Sequence, residues 1–256
     1  MPKICYLTYQ SFPSEKANTI QTISNLKYFV KNGYDVELIF PLREKNSSDN
    51  FEDLKKYYNF KEKIKITGVK HNYPFGKIHF LEKLFFLFSH TLWSRKIVKK
   101  LLTSRYKADT FFTRSEWISY FLSKNNKNLI YECHQLSKIK RILIPLILKN
   151  KKSKVIFLNQ KLLTETKLER SSYSQITVLH NAVDHELFKE TVRKNKNHII
   201  FVGNLIRFDK NKNIDFLINS FKDKRLSEKH HLKIIGGPDV EVARLNKIIR
   251  NNNLED

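Results

Sequence analysis

KICYLTYQSFPSEKANTIQTISNLKYFVKNGYDVELIFP, residues 3–41, is the stretch whose reading decides the fold. Its ICYLTY run (4–9) is short, β-branched and aromatic, without the polar alternation of a half-exposed strand. Such a run suits a parallel strand covered on both faces. After a polar loop, Ile20, Ile23, Leu26 and the pair Phe29/Val30 recur at helical spacing. Gly33 then stands where a helix C-terminus is capped. VELIF (36–40) reads as a second strand, ended by Pro41. A strand, a helix and a strand in about 40 residues make a right-handed parallel crossover.

The same alternation runs outward from this unit. IKITGV (64–69) is a weaker strand, 79–105 a long helix or helix pair, and DTFFT (109–113) a strand. A helix starts at Ser115, with Glu116 well placed in its first turn. LIYE (129–132), KVIFL (154–158) and QITVL (175–179) are further strands. Strands alternating with helices predict an α/β protein with a layered parallel sheet. Residues 45–62 are polar and read as a mobile insertion. KETVRKNKN (189–197) has no apolar period and carries a charge cluster, as a linker does. Beyond it come HIIFVG (198–203), a helix over 212–222, LKIIGG (232–237) and a helix over 239–250. The expected organisation is a first domain over 1–188, a linker over 189–197 and a partial second domain over 198–256. Two strands and two helices cannot cover both faces of a sheet, so the second domain should expose apolar surface.

Composition narrows the class. Lys and Arg number 48 against 25 Asp and Glu, a formal charge of +23. That field attracts an anionic partner: nucleic acid, an acidic membrane or a phosphorylated ligand. No zinc finger, homeodomain or RNP-type motif occurs, and the basic residues are spread along the chain, which argues against nucleic acid. Apolar residues make up 41%, which excludes collagenous, disulfide-rich and wholly disordered classes. Cys5 and Cys133 lie in apolar stretches without ligand spacing and read as buried thiols of a reduced, cytoplasmic protein. The N-terminus lacks signal-peptide character, and no apolar run approaches the ~20 residues that span a bilayer. Two segments, 77–102 and 137–152, mix apolar residues with Lys and Arg. Leu84, Phe85, Phe88 and Leu92 are expected to face the core. The lysine clusters are expected at an anionic membrane surface, placing the protein peripherally at its inner face.

Four stretches resemble family-4 retaining glycosyltransferases of the GT-B fold. VLHNAVDHELF (178–188) resembles their interdomain signature, with Ala182 in place of Gly and His180 in place of Pro. FVGNLIRFDKNKNIDFLINSF (201–221) is similar to the first strand, loop and helix of their donor domain. LKIIGGPD (232–239) is similar to that domain's second strand and Gly-Pro turn, and 13–41 looks like their opening. The resemblance covers nearly the whole chain. It implies two Rossmann-like domains facing a cleft, the first on the acceptor side and the second binding nucleotide sugar. It further implies transfer of a hexose-type unit, with retention, to a glycan or lipid-linked acceptor in cell-envelope polysaccharide or glycolipid synthesis. No metal or other cofactor is implied, and no metal-ligand spacing is visible.

The site residues follow from that resemblance. Negative charge develops on the departing diphosphate, where cations and a helix N-terminus stabilise it. Lys212 matches the family's phosphate-binding Lys. Asn204 stands where its Arg is usual, with Arg207 compensating, and Gly203 and Gly237 supply close turns. His134, just past LIYE in the family's Tyr-Glu-x-His pattern, takes the catalytic position and hydrogen-bonds a sugar hydroxyl or the acceptor. Glu132 reads as structural. Lys16, Asn18 and Thr19, in the loop after the first strand, contact the acceptor or the donor phosphate; Asn18 or Thr19 serving only as a helix cap is the alternative. The family's pair of glutamates eight positions apart has no counterpart here. The expectation is therefore a fragment with little activity of its own, or a non-catalytic membrane-associated or acceptor-binding remnant.

Overall fold

The computed structural model describes residues 1–71, 81–104, 106–168, 174–183, 195–207 and 210–255, without the side chains of Lys83, Arg207 and Lys210. The chain divides into two compact units, Met1–Asp184 and His185–Asp256. The boundary and most of the expected linker fall outside the described residues, as does the end of the 178–188 stretch.

The first unit is built on a seven-stranded sheet. Its strands are β1 (Lys3–Leu7), β2 (Asp35–Leu42), β3 (Lys65–Lys70), β4 (Thr110–Thr113), β5 (Leu129–Cys133), β6 (Ser153–Phe157) and β7 (Ile176–Val178). They run in the order β3-β2-β1-β4-β5-β6-β7, every neighbouring pair parallel. The helices are α1 (Ala17–Lys31), α2 (Phe51–Tyr58), α3 (Glu82–Thr103), α4 (Glu116–Lys124), α5 (Lys138–Leu148) and α6 (Gln160–Thr166). Cys5, Tyr6 and Leu7 are all fully buried, which explains why β1 shows no alternation. Tyr6, Leu38 and Phe40 pack with Ile23, Leu26 and Leu54 on one face. Cys5, Leu7, Tyr131 and Val155 pack with Trp93, Ile118 and Ile144 on the other. The chain begins at β1, winds out to β3 and returns to β4. The strand order therefore reverses between β1 and β4, and open sheets of this kind take their ligands at the carboxyl ends beside such a reversal.

α1 ends as expected: Gly33 has φ +83, and its N–H donates to the Val30 carbonyl at 2.9 Å. Three expectations are corrected. Pro41 does not end β2, which pairs with β3 through Leu42. β1 leaves β2 after Ile39, so the ring meets an edge where no N–H is required. The 45–62 insertion contains α2, whose start Asn50 caps by accepting from Glu52 and Asp53 N–H, and whose Leu54 is fully buried. Phe51, Leu54 and Tyr58 face the core from a helix of only eight residues, too short a run for periodicity to register among its charged neighbours. Finally, α3 is a single helix that turns Trp93, Ile97, Val98 and Leu101 inward and leaves Leu84, Phe88 and Leu92 exposed by 62%, 55% and 41%. Both faces of its N-terminal half are apolar, so spacing alone could not choose the inner one.

The second unit holds β8 (His198–Val202) and β11 (His231–Ile235), paired in parallel, and a small hairpin of β9 (Ile206–Arg207) and β10 (Lys210–Asn211). Helices α7 (Ile214–Ser220), α8 (Lys224–Ser227) and α9 (Asp239–Asn251) complete it. Leu205, Ile214, Ile218 and Leu245 form its core. Val202 and Ile235 are 70% and 57% exposed, and Ile200 lies open beside them. Among the described residues, no helix is long and apolar enough to cross a membrane.

Candidate functional site

At the carboxyl edge of the first unit's sheet, three side chains meet around one carboxylate. Arg114 follows β4, Glu132 lies in β5 and His134 follows it. Arg114 Nε donates to Glu132 Oε2 at 2.8 Å, and His134 Nε2 lies 3.1 Å from Oε1, short of hydrogen-bond alignment. Arg114 and Glu132 side chains are each only 9% exposed. Burial pushes the Glu132 carboxyl up, but His134 and the Arg114 guanidinium outweigh it, so its pKa lies below the ordinary carboxylate value. Arg114 Nη1 reaches the Asn18 carbonyl at 3.4 Å, tying β4 to the first turn of α1. Arg114 Nη2 is buried and has no hydrogen-bond partner. A donor left in that state costs about 1–3 kcal/mol, so it calls for an explanation.

The candidate loop before α1 is arranged differently from the cap alternative. Lys16 occupies the N-cap position without a side-chain bond, so Asn18 and Thr19 lie inside the helix. Thr19 is buried, and its hydroxyl faces the carbonyls of Ser14 (2.7 Å) and Lys16 (2.6 Å). Lys16 and Asn18 are exposed.

A second cluster at the same edge was not anticipated from the sequence. Tyr9 OH lies 2.6 Å from Ser89 Oγ and 3.0 Å from His71 Nε2, and the latter two are 2.8 Å apart. The Tyr9 ring stacks on His90 at 4.5 Å, while the Arg43 guanidinium covers it at the same distance. His90 Nε2 meets Ser115 Oγ at 2.7 Å. Burial, helped by Arg43, drives His90 down to about 3 and His71 to about 4, so both are neutral at neutral pH. These residues follow different strands or sit on α3, and only the sheet order brings them together.

In the second unit the candidate phosphate residues surround two touching turns. Gly203 ends β8 with φ +149, a conformation L side chains rarely adopt. A Cβ on Gly236 would lie 2.0 Å from the Gly203 carbonyl oxygen, so the turns after β8 and β11 pack backbone to backbone. Gly203 N–H donates to Ile235 O and Leu205 N–H to Gly237 O, both at 3.0 Å. Lys212 Nζ stands 4.0 Å from the position a Gly203 Cβ would take. Gly203, Gly237 and Lys212 are thus brought together with Gly236, which the sequence reading had not singled out. Asn204 is exposed beside them, and the Arg207 side chain lies outside the described residues. The Asn211 side chain accepts from Ile214 N–H at 3.0 Å, at the start of α7. His134 belongs to the first unit and Lys212 to the second.

Cys5 and Cys133 are free and buried, and burial pushes the Cys5 thiol up to about 12, so it is unreactive at neutral pH. Among the described residues, no group of three His, Cys, Asp or Glu side chains is arranged to hold a metal ion.

No protein-family model matches this sequence, and no curated protein matches it at the sequence level. Solved structures do resemble the fold. A glycosyltransferase from Rickettsia africae superposes with a TM-score of 0.64 at 18% identity, over 99% of this chain and 66% of that one. TarM of S. aureus, solved with fondaparinux, α-GlcNAc-glycerol and UDP, gives 0.58 at 12% identity, over 100% and 76%. The UDP-GlcNAc 2-epimerase of Methanocaldococcus jannaschii gives 0.50 at 13% identity, over 99% and 69%. The chain thus spans about two thirds of the length of the Rickettsia protein. The likeness shows the fold, an α/β fold of GT-B type, and the fold by itself does not choose between transferase and epimerase.

Proposed function

We propose that this chain carries the acceptor-side domain and the opening of the nucleotide-sugar domain of a retaining glycosyltransferase that uses a nucleoside-diphosphate sugar. The observation that carries the reading is the double turn of Gly203 and Gly236–Gly237 with the Lys212 ammonium beside it. Close backbone approach and a positioned cation are what a departing diphosphate requires as its charge develops. Asn204 and Arg207 would flank the same group. His134 would hold a sugar hydroxyl of the donor or of a glycan or lipid-linked acceptor, in an envelope polysaccharide or glycolipid pathway. In the functional protein, further structure would cover the open apolar face of β8 and β11.

Titrating the full chain with UDP while following the amide resonances of Gly203, Gly236 and Lys212 tests this. Those signals should move together, and Lys212→Ala should weaken the response about tenfold, the value of one charge-assisted contact. Resonances that stay put would remove the nucleotide reading. With UDP-sugars, product that forms only when an acceptor is added supports transfer, and conversion of the donor alone supports an epimerase.

The exposed row Leu84, Phe88 and Leu92 on α3 favours one further reading, docking to an anionic membrane at its inner face. The row continues into Arg95, Lys96, Lys99 and Lys100, all exposed, so one helix end offers apolar side chains and the other cations. Leu84→Ser/Phe88→Ser should lower sedimentation with phosphatidylserine vesicles and leave the melting temperature nearly unchanged. Undiminished sedimentation would exclude α3 as the docking element.

A further inference from the structure

We infer that Arg114 and Glu132 form, with His134, a binding subsite for neutral sugar hydroxyls, a role the sequence reading gave to neither Arg114 nor Glu132. The inference rests on the proposed transferase reading and extends it.

The geometry comes first. Glu132 is gripped from both sides, by Arg114 Nε at 2.8 Å on one oxygen and by His134 Nε2 at 3.1 Å from the other. Arg114 is nine-tenths buried, and its Nη2 has no hydrogen-bond partner. His134 Nε2 is likewise without an aligned partner. Two N–H groups therefore stand next to an ionised acceptor, and this happens where the strand order reverses, at the ligand-binding edge of such sheets. The Tyr6 hydroxyl neighbours the guanidinium closely enough to interact with it, but makes no aligned bond to Nη2, and its own partner is Thr22 Oγ1 at 3.4 Å. Arg114 Nη1 is committed to the Asn18 carbonyl. What is left over is the Nη2 edge.

Charge balance chooses the ligand. A phosphate placed against Nη2 would meet the Glu132 carboxylate, which the surrounding contacts keep ionised. A hydroxyl does not suffer that repulsion: its oxygen accepts from Arg114 Nη2 or His134, and its proton goes to a remaining Glu132 lone pair. Adjacent donor and acceptor on rigid strands match the paired hydroxyls of a sugar ring. Lys212, by contrast, forms no ion pair among the described residues and suits an anionic group.

The test uses the full chain, 15N- and 13C-labelled, and reads the Arg114 Nε–H and His134 Cε1–H resonances, identified by their loss in Arg114→Lys and His134→Gln. Methyl α-glucoside, methyl α-galactoside and methyl α-mannoside serve as neutral probes, each taken to about 100 mM because a few hydrogen bonds give weak binding. Inorganic phosphate is the anionic probe, and UDP with its sugar-linked form distinguishes donor sugar from acceptor. At least one glycoside should shift both resonances, phosphate should shift neither, and Glu132→Gln should weaken the glycoside response at least about tenfold. Arg114→Lys, which keeps the charge and the fold, should weaken it as well. A response to phosphate stronger than to any glycoside would overturn the proposal, and so would silence toward all three glycosides. Because these signals are separate from those of Gly203 and Lys212, a chain that binds UDP but no glycoside refutes the subsite alone.

Discussion

His90 shows how far a residue's chemistry depends on where the fold puts it. In sequence it is one histidine among nine, on a basic helix. In the fold it is nearly inaccessible, stacked on Tyr9 and bonded to Ser115, and burial holds its pKa at about 3. The unfolded chain takes up this proton near pH 6.5, while the native one refuses it until far lower. Its contribution is therefore complete above about pH 6.5 and declines as pH falls, by about 1.4 kcal/mol per unit for one proton. His71, held at about 4, acts in the same direction. Glu132 acts in the same direction in a lower window: its lowered pKa contributes stability above the unfolded carboxylate value, and that contribution is lost as pH falls below it. Urea midpoints should thus fall between pH 6.5 and 4.5, and His90→Gln should flatten that slope. An unchanged slope would mean that His90 is not buried in its neutral form.

Among the elements, α2 and α3 were the hardest to read. α2 is a capped, eight-residue helix with one fully buried side chain, Leu54, and Phe51 and Tyr58 packed beside it, and its charged surroundings resemble a loop. If Leu54 is its anchor, Leu54→Ala should cost about 2–5 kcal/mol, measurable by denaturant unfolding. A cost near zero would restore the mobile-insertion reading. α3 was legible as a helix but not in its orientation, since Leu84, Phe88 and Leu92 are as apolar as Trp93, Ile97 and Leu101. Only packing against the sheet decides which set is inside. The strands were legible to within a residue or two because a parallel sheet buried on both faces demands continuous apolar runs.

At the scale of the whole molecule, two features stand out: the charge of +23 and the open face of the second unit. Ile200, Val202 and Ile235 lie on adjacent parallel strands, a pairing that is normally covered on both sides. Apolar surface of this kind promotes association. Val202→Thr/Ile235→Thr should reduce binding of a hydrophobic fluorescent dye and raise solubility, with stability changed by less than about 1 kcal/mol. Unaltered dye binding would show that this face is already covered in solution.

The sequence by itself determined the class of fold, the order of the sheet strands and of the longer helices between them, the Gly-rich turns of the second unit and the position of His134 just past β5. These are local properties, written in periodicity, turn residues and spacing. Tertiary structure alone decided that Arg114 grips the carboxylate beside His134, that Tyr9, Arg43, His71 and His90 form one cluster, and that α3 shows an apolar row to solvent. Each of those depends on which strands become neighbours and which helix face meets the sheet. Neighbours far apart in the chain are chosen by the packing of the whole unit, and no local run of residues carries that choice.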